Sequence, residues 1–247
     1  MTHKELRVTV KNLVISSFAL AIFVSLFSGY SQAGINLENT RVVLVEPRKE
    51  ASLMIKNSGS EAVMFQAWIE AADKSEDLPF AITPVLKVLS SRQKQALRIL
   101  YIGRGLPTEK ESMFWVNVRE VPQKAREENS LQIAVQQRLK LFYRPAGLAG
   151  KVTKAPQQLK WRLLAKDGKN YLKVINTSPF YLSFASLVLR MENKSFIVPI
   201  DMISPFATSL AEIPELPSGI QAKNLHVDFE IIDDASGISK YQGTLSG

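Results

Sequence analysis

Cysteine is absent from the 247 residues, and histidine nearly so, with only His3 and His226. Without cysteine there is no disulfide framework, no thiol nucleophile and no thiolate metal site. His3 falls in a segment read below as a removable leader, which leaves His226, and one histidine cannot build a multi-histidine metal site. His226 could in principle serve a Ser-His-Asp arrangement, but no G-x-S-x-G turn accompanies it. These absences argue against most hydrolase and metalloenzyme readings. The expectation is a protein that is not an enzyme and uses no metal or other cofactor. The formal net charge is +8, yet no run of five lysines or arginines occurs. The basic residues are scattered and mixed with acids, which argues against nucleic-acid binding.

What is present begins with a leader. Lys4, Arg7 and Lys11 form a positive n-region, and Leu13 to Phe27 is an apolar stretch of signal-peptide length. Ser31-Gln32-Ala33 places small residues where a signal peptidase cuts. The alternative is an uncleaved membrane anchor, but the apolar core is short for a span of about 20 residues. Residues 1–33 therefore read as a signal peptide cleaved near Ala33. The mature chain would start near Gly34.

From Ile35 to Pro145 the chain reads as strand. Thr40–Val45 is β-branched, Ser52–Lys56 alternates, and Val63–Ile69 puts Val63, Phe65, Ala67 and Ile69 on one face. Phe80–Leu89 is apolar but interrupted by Pro84, which predicts an edge position or a bend. Ala96–Ile102 and Ser112–Val118 follow, and Ser130–Pro145 closes the set. Seven short strands separated by turn signals suggest a β-sandwich of immunoglobulin type. Pro145-Ala146-Gly147-Leu148-Ala149-Gly150 breaks the pattern. Beyond it, Lys160–Leu164, Tyr171–Ile175, Tyr181–Met191, Phe196–Ile200, Ser209–Ile213 and Leu225–Ile232 predict a second all-β domain, with no helix in either half. The expected organisation is a signal peptide at 1–33, one domain at 34–146 and another at 147–247. Two such domains on a short linker form a cleft, a common place for binding.

The stretch Ser130–Pro145 is unusual. Leu131, Ile133, Val135, Leu139, Leu141 and Tyr143 are apolar with period two, and Gln132, Gln136, Arg138 and Lys140 fall between them. The fourteen residues from Leu131 to Arg144 would reach roughly 46 Å as a strand, against a usual strand of about 5–6 residues. An exposed apolar edge of that length invites pairing with another chain.

L-Q-I-A-V-Q-Q-R-L-K-L-F-Y-R-P (Leu131–Pro145) resembles the last strand of the first domain of the periplasmic pilus-assembly chaperones, the PapD-like family. T-R-V at Thr40–Val42, Q-A-W-I-E at Gln66–Glu70 and F-W-V-N-V-R-E-V-P at Phe114–Pro122 match in the same order. I-N-T-S-P-F-Y at Ile175–Tyr181 and M-I-S-P-F at Met202–Phe206 extend the likeness more weakly. The resemblance implies two immunoglobulin-like β-sandwiches arranged as an L or boomerang with an interdomain cleft. It implies a chaperone that lends a strand to an incomplete pilus subunit, an act termed donor-strand complementation. The chaperone would cap the subunit against premature polymerisation and deliver it to an outer-membrane usher.

By the same resemblance, Leu131, Ile133 and Val135 are the lent residues. Burying each fully is worth about 1.5–3 kcal/mol, part of which offsets the ordering cost of association. Arg41 and Lys140 match the pair of cations that anchor the subunit's C-terminal carboxylate. Charge-assisted bonds of that kind are short and strong, and they would set the register of the lent strand. Lys140 has opposite parity to Leu131, Ile133 and Val135, so a twist or bulge between them is expected. Glu120, Arg144 and Asp234, with Asp233 as the alternative to Asp234, match the charged residues that link the two domains. Thr83-Pro84 falls where the family has a cis proline.

The polar stretch between Val121 and Ser130 resembles the family's short-loop subclass, which serves rod-like pili. Ser90-Ser91-Arg92-Gln93 departs from the family's usual turn near its usher-docking region, and the second domain lacks the disulfide some members carry. The implied partners are pilus subunits and an usher, with no nucleic acid and no membrane contact once the leader is removed. Family chaperones can also self-associate to cover the sticky strand. The alternative is a secreted structural or adhesive immunoglobulin-like fibre subunit, which shares the all-β pattern and the leader.

Overall fold

The computed structural model describes residues 34–72, 78–122, 133–217, 220 and 224–246. The expected leader at 1–33, the expected short loop after Val121 and the candidate Leu131 fall outside the described residues. Alternation governs the first sandwich. Along β4 every second residue is buried, from Val63 through Phe65, Ala67 and Ile69 to Ala71 (strand Val63–Ala71), as period-two patterning requires. One sheet has the order β1 (Ile35–Leu37), β3 (Glu50–Asn57), β7 (Lys94–Tyr101), β5 (Phe80–Thr83). The other runs β2 (Arg41–Val45), β9 (Gln136–Arg144), β8 (Ser112–Val121), β4, β6 (Leu86–Leu89). Between them lies a core that includes Leu44, Leu53, Ile55, Phe65, Leu97, Ile99, Val116 and Leu141.

Pro84 does what its chemistry predicts. β5 ends at Thr83 on the edge of one sheet and β6 begins at Leu86 on the edge of the other. The proline, which has no N–H for a ladder, occupies the crossing. The Thr83-Pro84 bond is cis, as is Glu46-Pro47.

The second sandwich pairs a sheet of β10 (Lys160–Lys166), β11 (Lys169–Ile175) and β15 (Thr208–Glu212) with one of β13 (Lys194–Ile197), β12 (Leu182–Met191), β16 (Leu225–Ile232) and β17 (Ile238–Thr244). A short β14 (Met202–Ile203) pairs with β12. Trp161, Phe184 and Phe229 form a ring cluster in its core, with centroids 5.0–6.3 Å apart. The expectation of no helix is corrected by a 3-10 helix at Val152–Gln158, with Pro156 inside it. So short an element leaves no periodic signal to read. β17 also went unpredicted. Its residues alternate between half-buried and exposed, without the apolar rows that mark a strand.

The predicted strand Ser130–Pro145 is corrected as well. Its regular ladder spans Gln136–Arg144, and residues 133–135 lie outside it. The reason is loss of partners. The β8 ladder ends at Arg119 opposite Gln136, and β2 joins only from Arg41 opposite Lys140. One further bond, Glu120 N donating to Val135 O at 2.9 Å, carries the same register to Val135.

The interdomain cleft as candidate functional site

The site is built on β2 and β9, which run parallel with Arg41 directly opposite Lys140. Neighbours in register project to the same face, so two cations from far apart in sequence stand side by side. That face is the one turned from the first core. Leu139, Leu141 and Tyr143 enter the core, while Lys140, Phe142 and Arg144 point toward the second sandwich. Phe142 packs on Tyr181 there, with centroids 5.5 Å apart.

This arrangement corrects the expected bulge. The β8–β9 register is unbroken from Ser112–Tyr143 to Arg119–Gln136. Val135 is an odd-numbered continuation of the core-facing row and Lys140 an even-numbered member of the cleft-facing row. Opposite parity thus puts Val135 and Lys140 on opposite faces of one continuous register. Past the ladder, Ile133 is 72% and Val135 45% exposed.

Arg41 is almost fully buried. Its Nη1 donates to the Ile232 carbonyl at 2.9 Å, and its guanidinium lies 5.8 Å from the Phe142 ring centroid. Its Nε is buried without a hydrogen-bond partner among the described residues. Burial lowers its pKa, opposed by the nearby charges of Asp234, Asp233 and Asp201. Lys140 Nζ donates to both carboxylate oxygens of Asp201, at 2.9 and 2.8 Å. Sequence reasoning missed Asp201, whose only mark is an acid just before β14.

Arg144 lies at the centre of a charge cluster. Its Nη1 and Nη2 donate to Asp234 at 2.6 and 2.9 Å, and its Nε to Glu111 at 2.5 Å. Glu111 also accepts from Tyr181 N at 2.7 Å, and its own N–H donates to Pro179 O at 2.9 Å. Burial raises the Glu111 pKa, opposed by Arg144 and by the Tyr181 N–H. For Arg144, burial lowers the pKa, but bonding to Asp234 and the charge of Glu111 prevail and raise it.

The structure thus brings Arg144 and Asp234 together but leaves Glu120 outside the cluster. Glu120 lies at the far end of β8, where its carboxylate abuts Gly34. Glu111 takes the position expected of it. The physical reason is the antiparallel register. Ser112 faces Tyr143, so the residue preceding Ser112 meets the one following Tyr143. Once one pair of that ladder is known, an acid at 111 is predicted opposite Arg144.

Arg41, Phe142, Arg144, Tyr181, Ile232 and Asp234 share the wall of a cavity of about 370 Å³ between the sandwiches. Among the described residues no group of three or more His, Cys, Asp or Glu is placed to hold a metal ion. The arrangement offers cationic donors to an anion, beside a strand whose continuation carries the exposed Ile133 and Val135.

Two sandwiches with this cleft are the architecture of an assembly chaperone. The description "Pili and flagellar-assembly chaperone, PapD N-terminal domain" matches residues 34–149, and "Pili assembly chaperone PapD, C-terminal domain" matches residues 154–243. The chain belongs to this family of pilus-assembly chaperones. It is 33% identical over 222 residues to the probable fimbrial chaperone YadV of Escherichia coli K12, covering 85% of this chain and 89% of that one. The crystal structure of the YadV chaperone superposes with a TM-score of 0.76 at 31% identity, over 86% of this chain and all of that one. The SafB chaperone, in complex with the SafA pilin of Salmonella enterica, gives 0.72 at 26% identity, over 88% of this chain and 99% of that one. The chain functions as a fimbrial chaperone in pilus-subunit assembly, and the fibre-subunit alternative is not favoured.

Proposed function

We propose that Arg41 and Lys140 anchor the C-terminal carboxylate of a pilus subunit, while Leu131, Ile133 and Val135 complete the subunit's sheet. The observation that carries this reading is the Arg41–Lys140 register pair on one strand face, with exposed Ile133 and Val135 on the same chain beyond the ladder. A carboxylate held by two cations fixes register, and a one-residue slip would turn every lent side chain to the wrong face. Arg144 and Asp234, with Glu111 in place of Glu120, keep the angle between sandwiches and so the geometry of the anchor.

The leader at 1–33, cleaved near Ala33, would send the chain to the periplasm, with residues 34–146 as the strand-lending domain and 147–247 as the second. The stretch after Val121 would belong to the short-loop subclass. The usher would dock near the turn Ser90–Gln93, beside β6, where Leu86 and Val88 are exposed. The reading involves no catalysis and no cofactor. Its test is periplasmic co-expression with a pilus subunit. Arg41→Ala and Lys140→Ala should each sharply reduce recovery of soluble subunit. Unchanged recovery with both would overturn the anchor.

A further inference from the structure

The anchor pair is not equally available. Lys140 has its ammonium engaged by both oxygens of Asp201 and is 13% exposed in its side chain, while the Asp201 side chain is 75% exposed. Arg41, directly beside it, has one guanidinium hydrogen bond among the described residues, to Ile232 O, and a buried Nε with none. Asp201 is not on a slack loop. Its carbonyl accepts from Phe184 N at 2.7 Å, and the next residue pairs in register with Ser183. The second sandwich therefore holds a carboxylate against one member of a cation pair, while the other, buried in the cavity wall, hydrogen-bonds to a carbonyl and to no carboxylate among the described residues.

We propose that Asp201 is an internal competitor for the anchor, a carboxylate that occupies Lys140 until the subunit's terminal carboxylate displaces it; this rests on the anchor reading above. The consequence is selectivity. An incoming side-chain carboxylate that reaches only Lys140 exchanges one ion pair for an equivalent one and gains nothing. A chain terminus that also reaches Arg41 adds contacts Asp201 does not make. Asp201 then sets a threshold that favours a terminus bridging both cations. Because its carboxylate is largely exposed, the pair is weak enough to release, and once released it repels a second anion nearby.

The test uses the purified mature chain and two labelled peptides of alternating valine and serine, one ending in a free carboxylate and one in an amide, read by fluorescence anisotropy. Asp201→Asn should tighten the free-carboxylate peptide about three- to ten-fold and leave the amide unchanged. Asp201→Glu should behave as wild type, and Lys140→Met/Asp201→Asn should bind no tighter than Lys140→Met. Asp201→Ser, which keeps the backbone bond to Phe184, gives the same comparison should Asp201→Asn fold poorly. If carboxylate preference is present but insensitive to Asp201, or both peptides tighten equally, the competitor proposal is overturned. If no variant prefers the carboxylate, the anchor reading itself fails, and the competitor with it.

Discussion

Glu111→Ala should be a severely damaging change at the junction of the sandwiches. Glu111 is 2% exposed, and its two oxygens serve two partners, Arg144 Nε at 2.5 Å and Tyr181 N at 2.7 Å. Removing one member of a buried pair costs about 3–5 kcal/mol, because it leaves the other charge poorly compensated. Here Arg144 keeps its two bonds to Asp234, which argues for the lower end. The abandoned Tyr181 N–H adds a desolvation cost of about 1–3 kcal/mol, part of which is already counted in the pair. We expect a loss of about 3–4 kcal/mol, or some 6–16 °C in Tm at about 2–4 °C per kcal/mol for a chain of this size. Asp234→Ala removes the exposed side of the cluster, 44% accessible, and should cost about 1 kcal/mol. Glu120→Ala should cost no more than about 0.5 kcal/mol. Urea unfolding followed by tryptophan fluorescence reads both sandwiches, through Trp68 and Trp115 in the first and Trp161 in the second. Equal losses for Glu111→Ala and Asp234→Ala, or a greater loss for Glu120→Ala, would refute the register argument.

Tyr143 is buried, and its phenol is pushed up to about 12, first by burial and then by Tyr101 and Glu46. A raised folded pKa favours the neutral phenol, so its stabilisation is present below about 10 and lost as pH rises through about 12; a late phenolate step in ultraviolet absorbance, absent in Tyr143→Phe, checks this. Asn176→Ala should cost about 3 kcal/mol in urea unfolding, since its amide donates to Phe180 O and Ser204 O and accepts from Ser178 N and Oγ, leaving several buried groups unsatisfied. Ile133→Ser/Val135→Ser should leave the unfolding free energy in urea within about 0.5 kcal/mol of wild type, because both side chains are exposed. The same double variant should lose subunit recovery on co-expression, which separates a lent surface from a structural one.

What could be read from the sequence was local. Alternation identified β4 and its buried face, and Pro84 marked the passage from one sheet edge to the other. The Ser130–Pro145 stretch was legible as strand because its apolar period is two. Its regular ladder stops at Gln136, beyond which β2 has no residue opposite and β8 adds the single bond from Glu120 N to Val135 O. Arg41 and Lys140 were identified by family resemblance, since nothing in their spacing relates them. The 3-10 helix and β17 lacked the periodicity on which such reading depends.

Sequence by itself determined the all-β class, the two-part organisation and the apolar row that continues past the fold, because these follow from residue type and period. Tertiary structure decided which charges meet. The antiparallel register brought Glu111 rather than Glu120 to Arg144, and the parallel register set Arg41 beside Lys140. The docking of the second sandwich placed Asp201 on Lys140. Ion pairs depend on positions in space a few ångströms apart, and one residue of register or one choice of strand partner changes them all.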